Sequence, residues 1–268
     1  MAVSGEVAAA VPRVKLRTGV KMPLLGFGTF RLAPGEETRT AVGEALKNGY
    51  RLIDTAEAYE NEREVGNAIA ESGVPREEMF VTSKVWNDRH GYEPAARAFE
   101  ESLHRLGISY MDLYLIHWPT GGRIVETWTA LVDCVKEGRC RNAGVSNFGI
   151  DELRMIEENC EELPAVNQVE CNLQVYPREL HSYCLERGIQ LQAYTPLAKG
   201  RMFDNETVRT AAHRYAKKPA QIMLRWLLQH EIVSIPKAAH REHLRENMDI
   251  FDFELSDEDM QILDSLST

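Results

Sequence analysis

The chain has 268 residues, 31 Lys and Arg against 41 Asp and Glu, and a formal net charge of −10. That excess of carboxylates would repel nucleic-acid phosphates rather than neutralise them, so no nucleic-acid partner is expected. An apolar fraction of 44% with a charged fraction of 27% excludes a disordered or fibrous chain, and no apolar run approaches the ~18 residues of a membrane helix.

Residues 1–13 hold a small apolar patch with no basic stretch ahead of it, which reads as a flexible tail rather than a signal peptide. From Val14, VKLRTGVKMP shows two short alternating pieces around Thr18-Gly19, the pattern of a hairpin. Apolar strand-like runs then follow at 24–29, 50–56, 79–86, 111–118, 141–147, 165–172, 190–197 and 232–238, each with a helix-like segment after it. Runs of this kind suit a parallel sheet buried on both faces. Eight strand-helix units predict an α/β chain folded as a (β/α)8 TIM barrel, a fold that typically needs roughly 250 residues. Gly49, Gly107, Gly138 and Gly188 stand where helices should end, and glycine makes a left-handed cap cheapest. Ser256, with Asp259 three residues on, marks one more helix after the eight units. No composition shift or linker divides the chain, so residues 1–268 are read as a single barrel domain. Five cysteines without CxxC spacing indicate reduced thiols in a cytoplasmic protein and no metal site.

In a barrel of this type the active site lies at the C-terminal ends of the strands. Polar residues collect there: Asp54 with Tyr59 just beyond it, Lys84, His117, Ser146-Asn147 and Gln168. Each alone has an ordinary packing role, Asp54 as a helix cap and His117 as a hydrogen-bonded core imidazole. Together they bring acid–base groups from several strands to one rim. A buried lysine needs a partner, and Asp54 is the obvious one. Lys84 beside Tyr59 is expected to favour the phenolate and lower a pKa that starts near ~10. Tyr59 would then be a general acid for an oxygen becoming an alkoxide, with His117 orienting that oxygen.

GFGTF (26–30), DTAEAYENEREVGNAI (54–69), TSKVW (82–86), LYLIHWP (113–119), GVSNF (144–148), NQVECN (167–172) and IPKA (235–238) resemble, in order, the signatures of the aldo-keto reductase family. The likeness is to its short microbial type, which includes the 2,5-diketo-gluconate reductases. The resemblance implies a barrel that binds a nicotinamide cofactor without a Rossmann fold and reduces aldehydes or ketones to alcohols. It assigns Tyr59 as proton donor, Lys84 and Asp54 as the pair that tunes it, and His117 as the orienting residue. Gly28, Thr29, Ser146, Asn147, Gln168 and Tyr194 fall on positions that meet the nicotinamide end. Leu197 and Lys199 fall on the loop over the pyrophosphate, which here has less Gly and Ser than the family pattern; Lys199 as a solvated loop residue stays open.

Lys237, Ala238, His243, Glu246 and Asn247 match the adenosine end. NADPH-preferring relatives have Ser or Thr where this chain has Ala238, and arginines where it has His240 and His243. Ala238 cannot donate to a 2′-phosphate, and neutral imidazoles lack the guanidinium fork. NADPH is the cofactor the resemblance implies, and these departures predict weakened NADP selectivity, with NADH used as well or even preferred. Phe30, Trp86 and Trp118 are expected to wall an open pocket for a small carbonyl substrate. A monomer is expected. The alternatives are a cofactor-sensing, non-catalytic partner module on the same barrel, and a Schiff-base chemistry at Lys84.

Overall fold

The computed structural model describes residues 11–238 and 240–267. It opens with an antiparallel hairpin of β1 (Arg13–Lys15) and β2 (Lys21–Pro23), Val14 facing Met22, with Gly19 at φ 88° in the turn. The tail expected at 1–13 does not reach its last residues: Val11 is buried and Arg13 begins β1, while residues 1–10 lie outside the described residues.

Eight parallel strands follow: β3 (Phe27–Gly28), β4 (Leu52–Asp54), β5 (Phe80–Val85), β6 (Leu113–Ile116), β7 (Ala143–Ser146), β8 (Val166–Glu170), β9 (Gln190–Tyr194) and β10 (Val233–Ser234). Each pairs with the next in chain order, as right-handed strand-helix-strand crossovers require. The ring closes where Gly26 donates to the Ser234 carbonyl at 2.8 Å, Ser234 to Leu24 at 3.0 Å and Gly28 to Pro236 at 3.2 Å. Gly28 is required by this closure, because a Cβ there would stand 2.8 Å from the Ile235 carbonyl oxygen.

Helices α1 (Glu36–Lys47), α2 (Glu62–Glu71), α3 (Tyr92–Leu106), α4 (Ile124–Lys136), α5 (Ile150–Asn159) and α6 (Arg178–Glu186) fill the crossovers up to β9. Two helices, α7 (Glu206–Arg214) and α8 (Pro219–Gln229), share the next one, and α9 (Arg241–Met248) and α10 (Asp257–Asp264) follow β10. Gly49, Gly107, Gly138 and Gly188 all have positive φ, between 64° and 95°. Ser256 Oγ accepts the Asp259 amide at 3.2 Å, the expected cap of α10.

The apolar interior has two parts. One lies between strands and helices, from Phe27 and Val42 round to Leu255 and Leu263. The other joins Leu16 and Met22 of the hairpin region to Leu52, Phe80, Leu113, Val166 and Val233, residues that begin their strands. The hairpin therefore plugs the N-terminal end of the barrel. Only the C-terminal end is left for a cleft.

Candidate active site

A cleft of about 930 Å³ opens at that end, lined by Gly28, Asp54, Tyr59, His117, Ser146, Asn147, Gln168 and Tyr194 among others. This is the upper end of the usual range for small-molecule sites. Trp86 and Trp118 follow β5 and β6, while Lys199 and Lys237 follow β9 and β10, four strands away in each case. The aromatic and basic walls therefore face each other across the mouth. Phe30 is 56% and Trp118 40% exposed, and both line this cleft.

Asp54 ends β4 and pairs in register with Thr82 of β5; Lys84 comes two residues later and so points to the same face. Lys84 is fully buried, and its Nζ lies 2.6 Å from Asp54 Oδ1, 2.8 Å from the Thr55 carbonyl oxygen and 3.3 Å from Tyr59 Oη. Its three ammonium hydrogens thus meet three oxygens. Burial alone would lower the Lys84 pKa, but the charges of Asp54 and Tyr59 and the hydrogen bonds from both hold it above the ordinary value. An ammonium that meets three oxygens offers no lone pair to a carbonyl carbon, which speaks against the Schiff-base alternative.

Tyr59 sits at the end of a 3-10 turn, Glu57–Tyr59, that the Trp86 amide anchors by donating to Glu57 Oε2 at 3.1 Å. The expectation of a lowered Tyr59 pKa is overturned. Desolvation of the phenolate raises it above the ordinary 10; Lys84 pulls down, but Asp54 pushes up. Lys84 and Asp54 form a neutral pair, so the phenol feels much less than a free ammonium. Tyr59 is held as a protonated phenol, beside an ammonium placed to stabilise the phenolate it would leave.

His117 is neutral, its pKa lowered to about 3 by burial and by Lys84. Its Nδ1 is buried without a partner among the described residues, and its ring stands edge-on to Tyr59 and Trp86, with centroids 5.7 and 5.0 Å away. His181, buried in α6 and bonded to Tyr176 Oη at 3.0 Å, is likewise lowered to about 4 by burial and His230. Both values lie below the ordinary 6.5, so the unfolded chain binds more protons as the pH falls. Their contribution to stability is complete above about pH 6.5 and is lost as the pH drops toward these values. The melting temperature is accordingly expected to fall between pH 7 and pH 4.5, and calorimetry showing no fall would contradict two neutral buried imidazoles.

Ser146, Gln168 and Gln192 are neighbours in register across β7, β8 and β9. Gln168 Nε2 donates to Asp54 Oδ2 at 2.7 Å and to Gln192 Oε1 at 2.9 Å. Asn147, at φ 63°, donates to the His117 carbonyl at 2.9 Å and to Ser146 Oγ at 3.0 Å, and accepts from Tyr194 Oη at 2.8 Å. Ser146, Asn147, Gln168, Tyr194, Leu197, Lys199 and Lys237 all reach the cleft.

Other expected contacts do not. Thr29 is fully buried and its hydroxyl donates to the Asp54 carbonyl at 3.0 Å, bracing the end of β4 instead of lining the cleft. Ala238 and Asn247 are buried, His243 is exposed against His240, and Glu246 is paired with Lys218; none of them lines the cleft. Arg241 and Arg245 turn to α1, reaching Glu44 at 3.4 Å and Asn48 at 3.3 Å. Sequence reasoning missed Glu57 and Gln192. The signal for Gln192 was the alternation of β9, where Gln190, Gln192 and Tyr194 share one face.

These residues fit a nicotinamide dinucleotide. Gln168 Oε1 has no partner among the described residues and can accept a carboxamide N–H, and Lys199 and Lys237 supply positive charge for phosphates in an otherwise acidic chain. A closed parallel barrel carrying a phenol, an ammonium, a carboxylate and a neutral imidazole at its C-terminal rim is an acid–base enzyme of the α/β-barrel class.

The chain belongs to the aldo/keto reductase family, whose model matches residues 24–268. It is 50% identical over 254 residues to glyoxal reductase of Bacillus subtilis, covering 95% of this chain and 92% of that one. An aldo/keto reductase structure from Brucella melitensis superposes with a TM-score of 0.93 at 40% identity, over 96% of this chain and 100% of the other. A Bombyx mori aldo-keto reductase in complex with NADP gives 0.92 at 35% identity, over 97% and 94%. The chain is thus an NADPH-dependent enzyme that reduces carbonyl groups.

Proposed function

We propose that Tyr59 protonates the carbonyl oxygen of a small aldehyde or ketone, with Lys84 and Asp54 stabilising the phenolate left behind and His117 orienting the substrate. The observation that carries this reading is the contact series Tyr59 Oη to Lys84 Nζ at 3.3 Å and Lys84 Nζ to Asp54 Oδ1 at 2.6 Å, at the floor of the cleft. The bound nicotinamide supplies the hydride. Tyr59 gives its proton as the oxygen gains charge, and the Lys84 ammonium is already in place to stabilise the negative charge left on Oη. His117, neutral, donates one N–H to the same oxygen. No metal is needed for this chemistry. A non-catalytic partner module has no support, since the acid–base set is assembled and the relatives are named as reductases.

Phe30, Trp86 and Trp118 are proposed to wall the substrate end. The name of the Bacillus subtilis relative favours small dicarbonyl aldehydes such as glyoxal. Ser146, Asn147, Gln168 and Tyr194 are proposed to hold the nicotinamide end, Leu197 and Lys199 the pyrophosphate, and Lys237 the adenosine end. The scattered remaining exposed apolar residues, Tyr92, Met155, Val175, Leu185 and Ile262, support a monomer. No helix among the described residues could span a membrane, and five free thiols, four of them buried, favour the cytoplasm. The closed ring of eight strands, each paired with its neighbour in chain order, supports a single domain.

The reading is tested by following oxidation of NADPH and NADH with a panel of aldehydes, ketones and dicarbonyls. NADPH should be consumed with stoichiometric loss of carbonyl, and no turnover with any substrate would overturn the assignment. Because Arg241 and Arg245 are engaged with α1, NADH is expected to be used as well. His243→Arg should then raise the NADPH-over-NADH ratio of kcat/KM by roughly tenfold, the worth of one charge-assisted hydrogen bond. An unchanged ratio would contradict a phosphate site at this helix.

A further inference from the structure

Gln192 is fully buried in β9, behind the cleft rather than in its lining. Its amide oxygen accepts from Gln168, yet its own Nε2 finds no hydrogen-bond partner among the described residues. A buried amide donor left unpaired is costly, so the arrangement needs a reason. The order of donors supplies one. Lys84 fills Asp54 Oδ1 and Gln168 must fill Oδ2 with one N–H, at 2.6 and 2.7 Å. The second N–H of the same Gln168 nitrogen then needs an acceptor, which Gln192 Oε1 provides at 2.9 Å. Rotating the Gln168 amide by half a turn would set its oxygen against Asp54 Oδ2, an acceptor with nothing to donate, and would break the bond to Gln192 Oε1. Only one orientation survives, and it leaves Gln168 Oε1 free for the cleft that Gln168 lines.

We infer that Gln192 is a positioning residue: it locks the Gln168 amide so that its carbonyl oxygen is presented to the carboxamide of the nicotinamide cofactor. The inference rests on the proposed placement of the nicotinamide at Gln168. Asp54 alone could be served by either hydrogen of a loosely held amide. Gln192 adds the second restraint, and its own unpaired N–H is the cost of keeping the donor order fixed.

Calorimetric titration with NADP+ and with 2′,5′-ADP, which lacks the nicotinamide, tests this. Gln192→Met removes the acceptor at similar volume and should weaken NADP+ roughly fivefold, the worth of one hydrogen bond, while 2′,5′-ADP stays within about twofold. Gln192→Glu keeps an acceptor and should restore NADP+ affinity to within about threefold of wild type. Should the methionine variant fail to fold, Gln192→Ala is read the same way. Unchanged NADP+ affinity in the acceptor-free variant, equal weakening of both ligands, or failure of glutamate to restore binding would each overturn the inference. Failure of the wild-type chain to bind NADP+ would instead overturn the assigned function.

Discussion

Tyr59→Phe is expected to lower kcat/KM for carbonyl reduction by about 10²- to 10⁴-fold, the range that general acid catalysis contributes, with NADP+ affinity unchanged. The substitution removes one oxygen and keeps the ring, so the contact with Phe30, at a centroid separation of 5.1 Å, survives. Lys84 loses only the longest of its three hydrogen bonds and keeps Asp54 and Thr55. The fold should therefore be little disturbed, and the loss should appear in turnover. Because burial raises the Tyr59 pKa above 10, the phenol stays protonated, and wild-type reduction should hold its rate to about pH 9. A basic limb falling near neutrality would show that the phenolate, not the phenol, is the resting form. Steady-state rates at several pH values, with cofactor binding measured separately, check both statements.

Lys84→Met is the second large effect. Its ammonium is the one cation within hydrogen-bonding distance of Tyr59 Oη among the described residues, so the phenolate formed on proton transfer loses its stabilising partner. A charge-assisted hydrogen bond is worth about 1.5 to 3 kcal/mol, which predicts a fall in kcat of roughly 10- to 150-fold. The variant should also melt at a lower temperature, because Asp54 is left buried without its ammonium and must take up a proton. The two effects separate by direction. In alcohol oxidation, where the phenolate must accept a proton, the rate should move to higher pH in the variant than in wild type. A variant with normal kcat but lowered stability would make Lys84 a structural residue.

Much of this molecule can be read along the chain. The hairpin, the alternation of strands and helices, the glycine-terminated helices and the Ser256 cap all follow from local patterns, and local patterns act through the backbone of adjacent residues. The boundaries are less legible. The last strand shrinks from the apolar run at 232–238 to Val233–Ser234, because Pro236 has no N–H to continue the ladder. The meeting of Asp54, Tyr59 and Lys84 was also legible, since their strand-end positions place them on one rim. What long-range geometry decides was not. The turn of Thr29 toward the Asp54 carbonyl, the withdrawal of Arg241 and Arg245 to α1 and the Gln168–Gln192 bond each join residues at least 24 positions apart. The Tyr59 pKa is not legible from the chain because it turns on burial: desolvation of the phenolate is the largest influence and outweighs the pull of Lys84, which Asp54 at 2.6 Å from the ammonium opposes.

The central claim is hydride reduction of a carbonyl with Tyr59 as the proton source. Its most direct test is turnover of glyoxal with NADPH deuterated at the transferable C4 position, followed by mass spectrometry of the product. One deuterium should appear on the former carbonyl carbon for each NADPH oxidised by the wild-type chain, with turnover nearly lost in Tyr59→Phe. Product without deuterium at that carbon, or equal turnover by the phenylalanine variant, would contradict it.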